Sequence, residues 1–301
     1  MEIFVTCSSD FVCAACRFAP TQISHEVITT FAEGARTLVS LERHWGDDVR
    51  ILISNDDGIH APGLAVLETI ARTLSEDVWV VAPEVERSGA GRAITLTDPI
   101  RVRHIDDRHF ACSGTPTDCV LLAIAEIMKD NPPDLVLTGI NRGQNLAEDT
   151  SVSGTVAGAM QGMQMGVPSI ALSQAMNFRQ GEPIPWQTAA AHGPAVLSAL
   201  VAARWPSNVV INVNFPDCLP GDVKGTDVTF QGFRDEAVNH IDRRADLRGN
   251  AYYWIGYQGK LSRPPMGSDL RAIYDNHISI TPLHLDMTEH SALASLKGVF
   301  A

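Results

Sequence analysis

Positive charge and long apolar runs are both scarce in this sequence. Lys and Arg number 23 against 35 Asp and Glu, so the 301-residue chain carries a formal net charge of −12. Proteins that bind a nucleic-acid polymer usually present a basic face, so this acidic balance argues against such a polymer as the main partner. No apolar run approaches the roughly 18 residues of a membrane span. We therefore expect a soluble globular protein that does not enter a membrane.

Cysteine is also sparse, and its spacing is irregular. The six cysteines are Cys7, Cys13, Cys16, Cys112, Cys119 and Cys218. A chain of this size with so few cysteines does not have a disulfide framework, which indicates a reduced, cytoplasmic setting. Cys13 and Cys16 have the spacing of a redox motif or of half a zinc site, but the second ligand pair and the βαβ context are missing. Free thiols are therefore expected.

Residues 1–48 lack lysine and contain more acidic residues than arginines. Signal and transit peptides both begin with basic, acid-poor sequence, so neither is indicated. Residues 22–41 have apolar positions at about helical spacing and could form a helix. The alternative is that residues 1–48 are an atypical extension that is not translated in the cell. We hypothesise that the native protein starts at Val49, which the intact mass of the natively expressed protein would test.

From residue 49 onward the pattern alternates between strands and helices. Continuous apolar runs predict buried strands, and apolar residues at i, i+3 and i+4 steps predict helices between them. The predicted strands are 49–54, 78–82, 134–138, 169–173 and 209–213, the predicted helices are 62–74, 116–129 and 156–165, and residues 94–104 are expected to be extended. This alternation predicts an α/β fold with a doubly wound, Rossmann-like, mostly parallel sheet and right-handed crossovers.

Polar side chains follow three of the predicted strands. Asp56 and Asp57 come directly after the first strand, Ser88 lies in the loop after the second, and Asn141 follows the third. In an open parallel sheet, ligands bind outside the carboxyl ends of the strands. Two carboxylates, a hydroxyl and an amide oxygen are an all-oxygen set that suits one hard divalent cation, Mg²⁺ or Mn²⁺. Chemistry is therefore expected to start at Asp56 and Asp57.

Residues 49–290 contain several short motifs in order along the chain. They are Asn55–Gly58, His60–Gly63, Arg87–Gly89, Gly114–Cys119, Gly139–Leu146, Ser153–Ala157 and Ile278–Leu283 with Asp286 and Thr288. In this order the motifs resemble those of the survival protein SurE family of metal-dependent phosphatases. Several motifs in order at compatible spacing are far more specific than one motif alone.

The resemblance implies a metal-dependent phosphomonoesterase, a 5′-nucleotidase that removes phosphate from nucleoside 5′- and 3′-monophosphates. Some members also trim short-chain polyphosphate. By motif, Asp56, Asp57, Ser88 and Asn141 would be the metal ligands. Asn145 and the helix start formed by Ser153, Gly154 and Thr155 would hold the phosphate, which agrees with the affinity of helix N-termini for anions.

The sequence leaves the nucleophile open. A water molecule activated beside the cation is one route, and covalent attack by Asp56 or Asp57 is the other. Water attack is favoured because a carboxylate that is occupied as a ligand is a weaker nucleophile. Two departures from the family pattern, Val152 in place of an aromatic residue and Gln161 in place of a glutamate, remove none of the proposed ligands.

Residues 226–268 depart from the alternation of strands and helices. Val228–Gln231 and Tyr252–Ile255 resemble strands that flank a charged segment, Arg234–Arg248. In the resembling family this region is an extended hairpin exchanged between subunits, which implies a homodimer or homotetramer. The alternative is a hairpin folded onto its own core.

These patterns divide the chain into four parts. After the extension of residues 1–48 come an α/β metal-phosphatase core over 49–225, the hairpin over 226–268, which is expected to serve oligomerisation, and a segment over 269–301 that returns to the core.

Two rival functions come from other classes. A dinucleotide-binding oxidoreductase would need the Gly-x-Gly-x-x-Gly motif after the first strand, and this chain has acidic residues there instead. A non-catalytic, metal-dependent nucleotide-binding stress protein would need nearly the same residues as the enzyme. A turnover assay separates that second rival from a nucleotidase.

Overall fold

The computed structural model describes residues 49–177, 183–235, 239–257 and 262–300. The expectations about residues 1–48 therefore lie outside the described residues. Within the described ranges, no helix is long and apolar enough to cross a lipid bilayer.

Strands and helices alternate through most of the described chain. The strands are β1 (Ile51–Ser54), β2 (Val78–Pro83), β3 (Val102–His104), β4 (His109–Cys112), β5 (Leu135–Arg142), β6 (Ser169–Gln174), β7 (Val210–Phe215), β8 (Gly225–Val228), β9 (Asn239–Ala245), β10 (Ala251–Tyr257) and β11 (His277–Leu283). The α-helices are α1 (Pro62–Ala71), α2 (Pro116–Leu122), α3 (Gly154–Gln164), α4 (Trp186–Ala203), α5 (Asp269–Tyr274) and α6 (His290–Val299). A π-helical turn (Ala123–Ile127) extends α2, and 3₁₀ turns form at Ala147–Ser151 and Pro220–Asp222.

The described strands form one mixed sheet and one separate hairpin. In the sheet, nine described strands lie in the order β3-β4-β2-β1-β5-β6-β7-β11-β8. The run from β4 to β7 is parallel throughout, and only β3–β4 and β7–β11 pair antiparallel. The remaining two, β9 and β10, pair antiparallel with each other. These findings confirm the predicted α/β class with a mostly parallel sheet and a separate hairpin.

Helices cover both faces of the sheet. Alternate residues of each strand point to opposite faces, so one strand packs against helices on both sides. Ile51 and Ile53 of β1 belong to a core cluster that includes residues of α1 and α4. Leu52, between them, packs in a second cluster with Cys119 and Val120 of α2. All three β1 residues are fully buried, which explains the continuous apolar run of this strand.

Local sequence signals set the helix starts near the carboxyl edge of the sheet. Pro62 occupies the first turn of α1. Thr115 caps α2 by accepting a hydrogen bond from the backbone N–H of Asp118 at 3.2 Å, and the Asp118 carboxylate accepts from the N–H of Thr115 at 2.9 Å. This reciprocal pair is a capping box, and it fixes the start of α2.

The structure changes some of the predicted element bounds and adds elements that were not predicted. The third predicted strand extends to Arg142, so Asn141 lies inside β5 rather than in a loop, although the register with β6 shifts between Thr138 and Asn141. Within residues 94–104, the strand β3 comprises Val102–His104. The regular α-helical part of predicted helix 116–129 ends at Leu122. The sequence patterns did not reveal β4 or the long helix α4.

The hairpin strands also differ from the prediction. Val228–Gln231 is not a hairpin strand, because β8 ends at Val228 and pairs with β11 in the main sheet. The partner of β10 is β9, which lies within the charged segment. The residues of β9 whose burial is described are exposed or half-buried, and such a strand tolerates the charged residues of this segment.

Candidate active site

The candidate site lies at the carboxyl ends of β1 and β5, where the order of the strands reverses. From β1 the chain first adds strands on one side, through β2, and then returns to add β5 on the other side. Crevices at such switch points are the usual ligand sites of open α/β sheets. Asp56 and Asp57 follow β1, and Asn141 belongs to the end of β5.

A tight turn after β1 holds the two carboxylates. The amide of Asn55 donates to the carbonyl oxygen of Gly58 at 3.0 Å, and its oxygen accepts from the Gly58 N–H at 3.3 Å. Gly58 has a φ of 103°, which a residue with a side chain rarely adopts. The turn therefore fixes the backbone of Asp56 and Asp57 from both ends.

Asp56 is held by the start of helix α3. The hydroxyl of Thr155 donates to Oδ1 of Asp56 at 2.6 Å, and the backbone N–H of Gly154 also donates to this carboxylate. A Cβ atom placed on Gly154 would lie 2.8 Å from Cβ and Oδ2 of Asp56, so only glycine permits this approach. The side chain of Asp56 is 3% exposed, and this burial raises its pKa.

Asp57 is held from β5. Its Oδ2 atom accepts the backbone N–H of Arg142 at 3.0 Å. Burial, followed by the charge of Asp56, raises the pKa of Asp57 to about 6. The negative charge of Glu86 raises the pKa of both aspartates further. The site therefore concentrates negative charge away from water, which a bound cation would stabilise.

Ser88 and Asn141 flank the two aspartates. The loop that carries Ser88 is tied to the site by its backbone, since the N–H of Arg87 donates to the Asp56 carbonyl oxygen at 2.7 Å. The Ser88 side chain is exposed and donates to Oε1 of Glu86 at 2.9 Å. The amide nitrogen of Asn141 donates to the carbonyl oxygen of Gly143 at 2.8 Å. Its amide oxygen is the atom with the chemistry of a cation ligand.

Asn145 is buried among polar side chains of β6 and β7. Its backbone N–H donates to Oδ1 of Asn214 at 2.8 Å, and its carbonyl oxygen accepts from the amides of Asn212 and Asn214 at 2.9 and 3.1 Å. Its side-chain amide donates to Oγ of Ser173 at 2.9 Å. Both the backbone and the side chain of Asn145 are thereby fixed relative to the sheet.

The structure joins some of the predicted site residues directly. Asp56, Asp57, Gly154 and Thr155 form one connected group, and Asn141 precedes Arg142, whose backbone N–H contacts Asp57. The side chains of Ser88 and Asn145 instead donate to Glu86 and Ser173. Ser153 caps α3, because its Oγ atom accepts the N–H of Val156 at 3.1 Å. The described residues contain no group of three or more His, Cys, Asp and Glu side chains that could hold a metal ion. The predicted ligand set has two carboxylates, and its other members are hydroxyl and amide groups.

Four neighbours of the site were not identified from the sequence: Ser173, Glu86, Asn212 and Asn214. A signal for the last two was present. Asn212 and Asn214 alternate within the otherwise apolar strand β7, so both face the same side of a buried strand. Polar residues in such positions need hydrogen-bond partners, and here they bind Asn145. No comparable pattern marks Glu86.

Comparisons with known proteins identify relatives of this chain. The model of the family described as "Survival protein SurE" matches residues 51–237. The chain is 61% identical over 249 residues to a protein of Hyphomonas neptunium named 5'-nucleotidase SurE, covering 83% of this chain and 98% of the relative. It is 57% identical over 252 residues to a Caulobacter vibrioides protein of the same name, covering 83% and 96% of the two chains.

A solved structure shares the fold. The crystal structure of the SurE protein from Aquifex aeolicus superposes with a TM-score of 0.72 at 36% sequence identity, and the match covers 84% of this chain and all (100%) of that one.

Proposed function

This chain belongs to the survival protein SurE family, and we propose that it is a 5′-nucleotidase that uses one divalent cation, Mg²⁺ or Mn²⁺, to hydrolyse nucleoside monophosphates to nucleoside and phosphate. The observation that carries the proposal is the direct contact between Asp56 at the end of β1 and the N-terminus of α3 at Gly154 and Thr155. This contact joins a candidate cation ligand to a candidate phosphate site.

The residues present fit a hard cation. Asp56 and Asp57 are adjacent carboxylates whose pKa values are raised by burial, and the charge of Glu86 adds repulsion to both. A divalent cation would remove this repulsion, and oxygen atoms are its preferred ligands. Asp56, Asp57, the Ser88 hydroxyl and the Asn141 amide oxygen would hold the cation. When bound there, such a cation polarises a phosphoryl oxygen and makes a water molecule more acidic.

The phosphate site in this proposal consists of Asn145 and the first turn of α3, formed by Ser153, Gly154 and Thr155. The N-terminus of a helix has unpaired backbone N–H groups and the positive end of the helix dipole, both of which favour a phosphate dianion. The Ser153 cap and the Thr155 contact to Asp56 orient this turn.

We favour water over an aspartate as the nucleophile. Covalent attack would need a carboxylate oxygen of Asp56 or Asp57 to approach phosphorus. Oδ1 of Asp56 already accepts the Thr155 hydroxyl, and Oδ2 of Asp57 accepts the Arg142 N–H. These bonds hold both carboxylates as fixed ligands.

The finer substrate range belongs to the same proposal. We include nucleoside 3′-monophosphates and short-chain polyphosphate as substrates. We also propose that the protein is located in the cytoplasm. A nucleic-acid polymer is not among the proposed partners, since the chain carries a net charge of −12.

A homodimer or homotetramer formed through the hairpin is part of the proposal. Ile241 pairs with Ile255 across β9 and β10, and Tyr253 lies on the same face of the hairpin. In the single chain, Ile241 is 64% exposed, Ile255 is 80% exposed and Tyr253 is 59% exposed. A second copy of the chain would bury this apolar face. Light scattering of wild type and of Ile241→Ser/Ile255→Ser tests it, and a monomeric wild type contradicts it.

The enzymatic proposal is tested by phosphate release from a panel of 5′- and 3′-nucleoside monophosphates and short polyphosphate with Mg²⁺, Mn²⁺ or EDTA. Wild type is compared with Asp56→Asn and with Asp107→Asn, an exposed aspartate in the turn between β3 and β4. We expect release that needs metal and falls about a hundredfold in Asp56→Asn only. Saturable nucleotide binding by folded wild type without phosphate release would instead favour the non-catalytic nucleotide-binding stress protein.

A further inference from the structure

The 3₁₀ turn at Ala147–Ser151 connects the two parts of the proposed phosphate site. Asn145 lies two residues before the turn, and Ser153 caps α3 two residues after it. Val152, which follows the turn, contacts the loop of Ser88, because its carbonyl oxygen accepts the N–H of Gly91 at 3.1 Å. A shift of this turn would therefore reach Asn145, the start of α3 and the Ser88 loop.

Arg234 binds this turn from outside the site. Its Nη2 atom lies 2.7 Å from Oδ2 of Asp149, and its Nη1 atom lies 3.2 Å from Oε1 of Glu148. The backbone N–H of Arg234 also donates to Oε2 of Glu148 at 3.2 Å. The side chains of Arg234 and Asp149 are 9% and 21% exposed, so their ion pair is largely shielded from water and from salt. The Glu148 side chain is 39% exposed, so its ion pair with Arg234 is less shielded.

Asp269 is a second anchor for the same turn. Its Oδ2 atom accepts the N–H of Ala147 at 2.8 Å, and its Oδ1 atom accepts the N–H of Gly232 at 2.8 Å. Ala147 has a φ of 53°, a left-handed conformation that costs energy for a residue with a side chain. The contact from Asp269 helps to hold Ala147 there, and it joins the turn to the segment that contains Arg234.

The turn depends on Arg234 because of its acidic residues. Burial raises the pKa of Asp149, and the charges of Glu148 and Asp269 also act in that direction, whereas the Arg234 guanidinium opposes them. Without Arg234, the carboxylates of Asp149, Glu148 and Asp269 would be left close together without this cation. Breaking a buried ion pair on one side is unfavourable because the remaining charge loses its partner. The turn would then move to expose its acidic side chains to water.

We propose that Arg234 is a positioning residue for the phosphate site, acting through the Ala147–Ser151 turn on Asn145 and on the start of α3. This inference rests on the proposed function for its kinetic test. Arg234 touches neither the substrate nor the cation in this proposal. Its role is to fix the geometry of residues that bind phosphate, and small displacements of such residues are costly to catalysis.

The kinetic test compares Arg234→Gln with wild type on a nucleoside 5′-monophosphate. We expect KM to rise about tenfold while the fraction of folded protein is unchanged. A purely structural role would lower the apparent kcat through loss of folded protein and leave KM unchanged. Arg234→Lys, which keeps one cationic contact, is expected to recover part of the loss. The double variant Arg234→Gln/Asp149→Asn is also expected to recover part, because it removes one unpaired charge.

Arg244→Gln is the matched control. Arg244 lies on β9 and pairs with Asp242 at 2.8 Å, with both side chains largely exposed, so its loss is expected to leave KM unchanged. An unchanged KM in Arg234→Gln overturns the proposal. An equal rise of KM in Arg244→Gln also overturns it. If Arg234→Gln does not fold, Arg234→Lys and Glu148→Gln are compared in the same way.

A second readout separates this inference from the proposed function. Amide hydrogen exchange of residues 147–153 is measured in wild type, Arg234→Gln and Arg244→Gln, together with the affinity for inorganic phosphate in the presence of Mn²⁺. Faster exchange and weaker phosphate binding in Arg234→Gln alone support the positioning role even if wild type releases no phosphate from nucleotides. Unchanged exchange in all three proteins contradicts it.

Discussion

The hydroxyl of Thr155 donates a 2.6 Å hydrogen bond to Oδ1 of Asp56, across 99 positions of the chain. This bond joins the turn after β1 to the helix that we assign to phosphate binding. Thr155 therefore contacts the candidate cation ligand Asp56 directly. The family resemblance had implied a role in phosphate binding alone. Contact between Thr155 and phosphate remains a prediction.

Replacement of Thr155 by valine is expected to weaken cation binding and turnover. Valine keeps the shape of threonine but leaves Oδ1 of the buried Asp56 without this donor, and a hydrogen bond to a charged group contributes about 2 kcal/mol. We expect a loss of tenfold or more, as an order of magnitude, in both Mn²⁺ affinity and kcat/KM. Calorimetric titration with Mn²⁺ and steady-state kinetics measure the two effects. Thr155→Ser, which keeps the hydroxyl, should stay close to wild type, and a Val variant as active as Ser would refute the assigned role.

Gly154→Ala tests how closely α3 approaches the cation site. The added Cβ would lie 2.8 Å from Cβ and Oδ2 of Asp56, so either the carboxylate or the helix must move. Such a displacement at a catalytic group is expected to reduce kcat/KM by about a hundredfold. Gly221→Ala is the matched control, since a Cβ there meets nothing within 4 Å. Equal activity of the two variants would contradict the close contact between Gly154 and Asp56.

Asn214→Ala is expected to loosen Asn145. Without Oδ1 of Asn214, the buried N–H of Asn145 loses its acceptor, and an unsatisfied buried donor costs about 1–3 kcal/mol. The free energy of unfolding should fall by that amount, and KM for a nucleoside monophosphate should rise. Asn212→Ala is a graded comparison, because the Asn145 carbonyl oxygen then keeps its bond from Asn214. Urea unfolding and steady-state kinetics test both variants. An Asn212 variant that is more impaired than the Asn214 variant would reverse the order that we expect.

His109 gives the protein a pH-dependent contribution to stability. Its Nδ1 and Nε2 atoms lie 2.8 Å from Oδ1 of Asp106 and 3.2 Å from Oε2 of Glu68. Burial alone would lower the pKa of His109, but the hydrogen bonds and charges of Asp106 and Glu68 outweigh burial and raise the pKa. A group whose pKa is raised on folding stabilises the protein fully below its unfolded pKa, and this contribution is lost as the pH rises through the folded pKa.

The measurement is the difference in unfolding free energy between wild type and His109→Gln at about pH 5.5 and about pH 8.5, on either side of the unperturbed histidine pKa. We expect the variant to be more destabilised at the lower pH. At that pH Glu68 and Asp106 remain ionised, because their own pKa values are lowered. His240→Gln, an exposed position on β9, should show no such difference. A His109→Gln effect that is equal at both pH values would contradict the ion-pair assignment.

Much of the local structure could be predicted from the sequence. The apolar run before Asp56 predicts a strand buried on both faces, and β1 is fully buried between helices on both sides of the sheet. Thr115, Pro116 and Asp118 predict the start of α2 because a capping box depends on residues three positions apart. Family membership and the α/β class were also predictable and are confirmed.

The errors lie where pairing partners are distant in the chain. β4 is short and its burial depends on Trp79 and other neighbours that follow from the sheet order, so no local pattern marks it. β9 contains the consecutive charged residues Asp242, Arg243 and Arg244 and pairs only with β10 among the described strands, so the sequence indicated a charged segment and not a strand. The segment after Ser268 returns as β11 between β7 and β8, an order that depends on long-range packing.

The sequence by itself determined which residues could begin a helix, form a buried strand or bind a hard cation, because these properties depend on side-chain chemistry and on spacing of a few residues. The tertiary structure decided what those residues do together. Three features arise only where the fold brings distant segments together away from water. They are the contact between Thr155 and Asp56, the hydrogen bonds of Asn212 and Asn214 to the Asn145 backbone, and the raised pKa of Asp57. Hydrogen bonding and desolvation act over a few ångströms in space, and no local pattern encodes that distance.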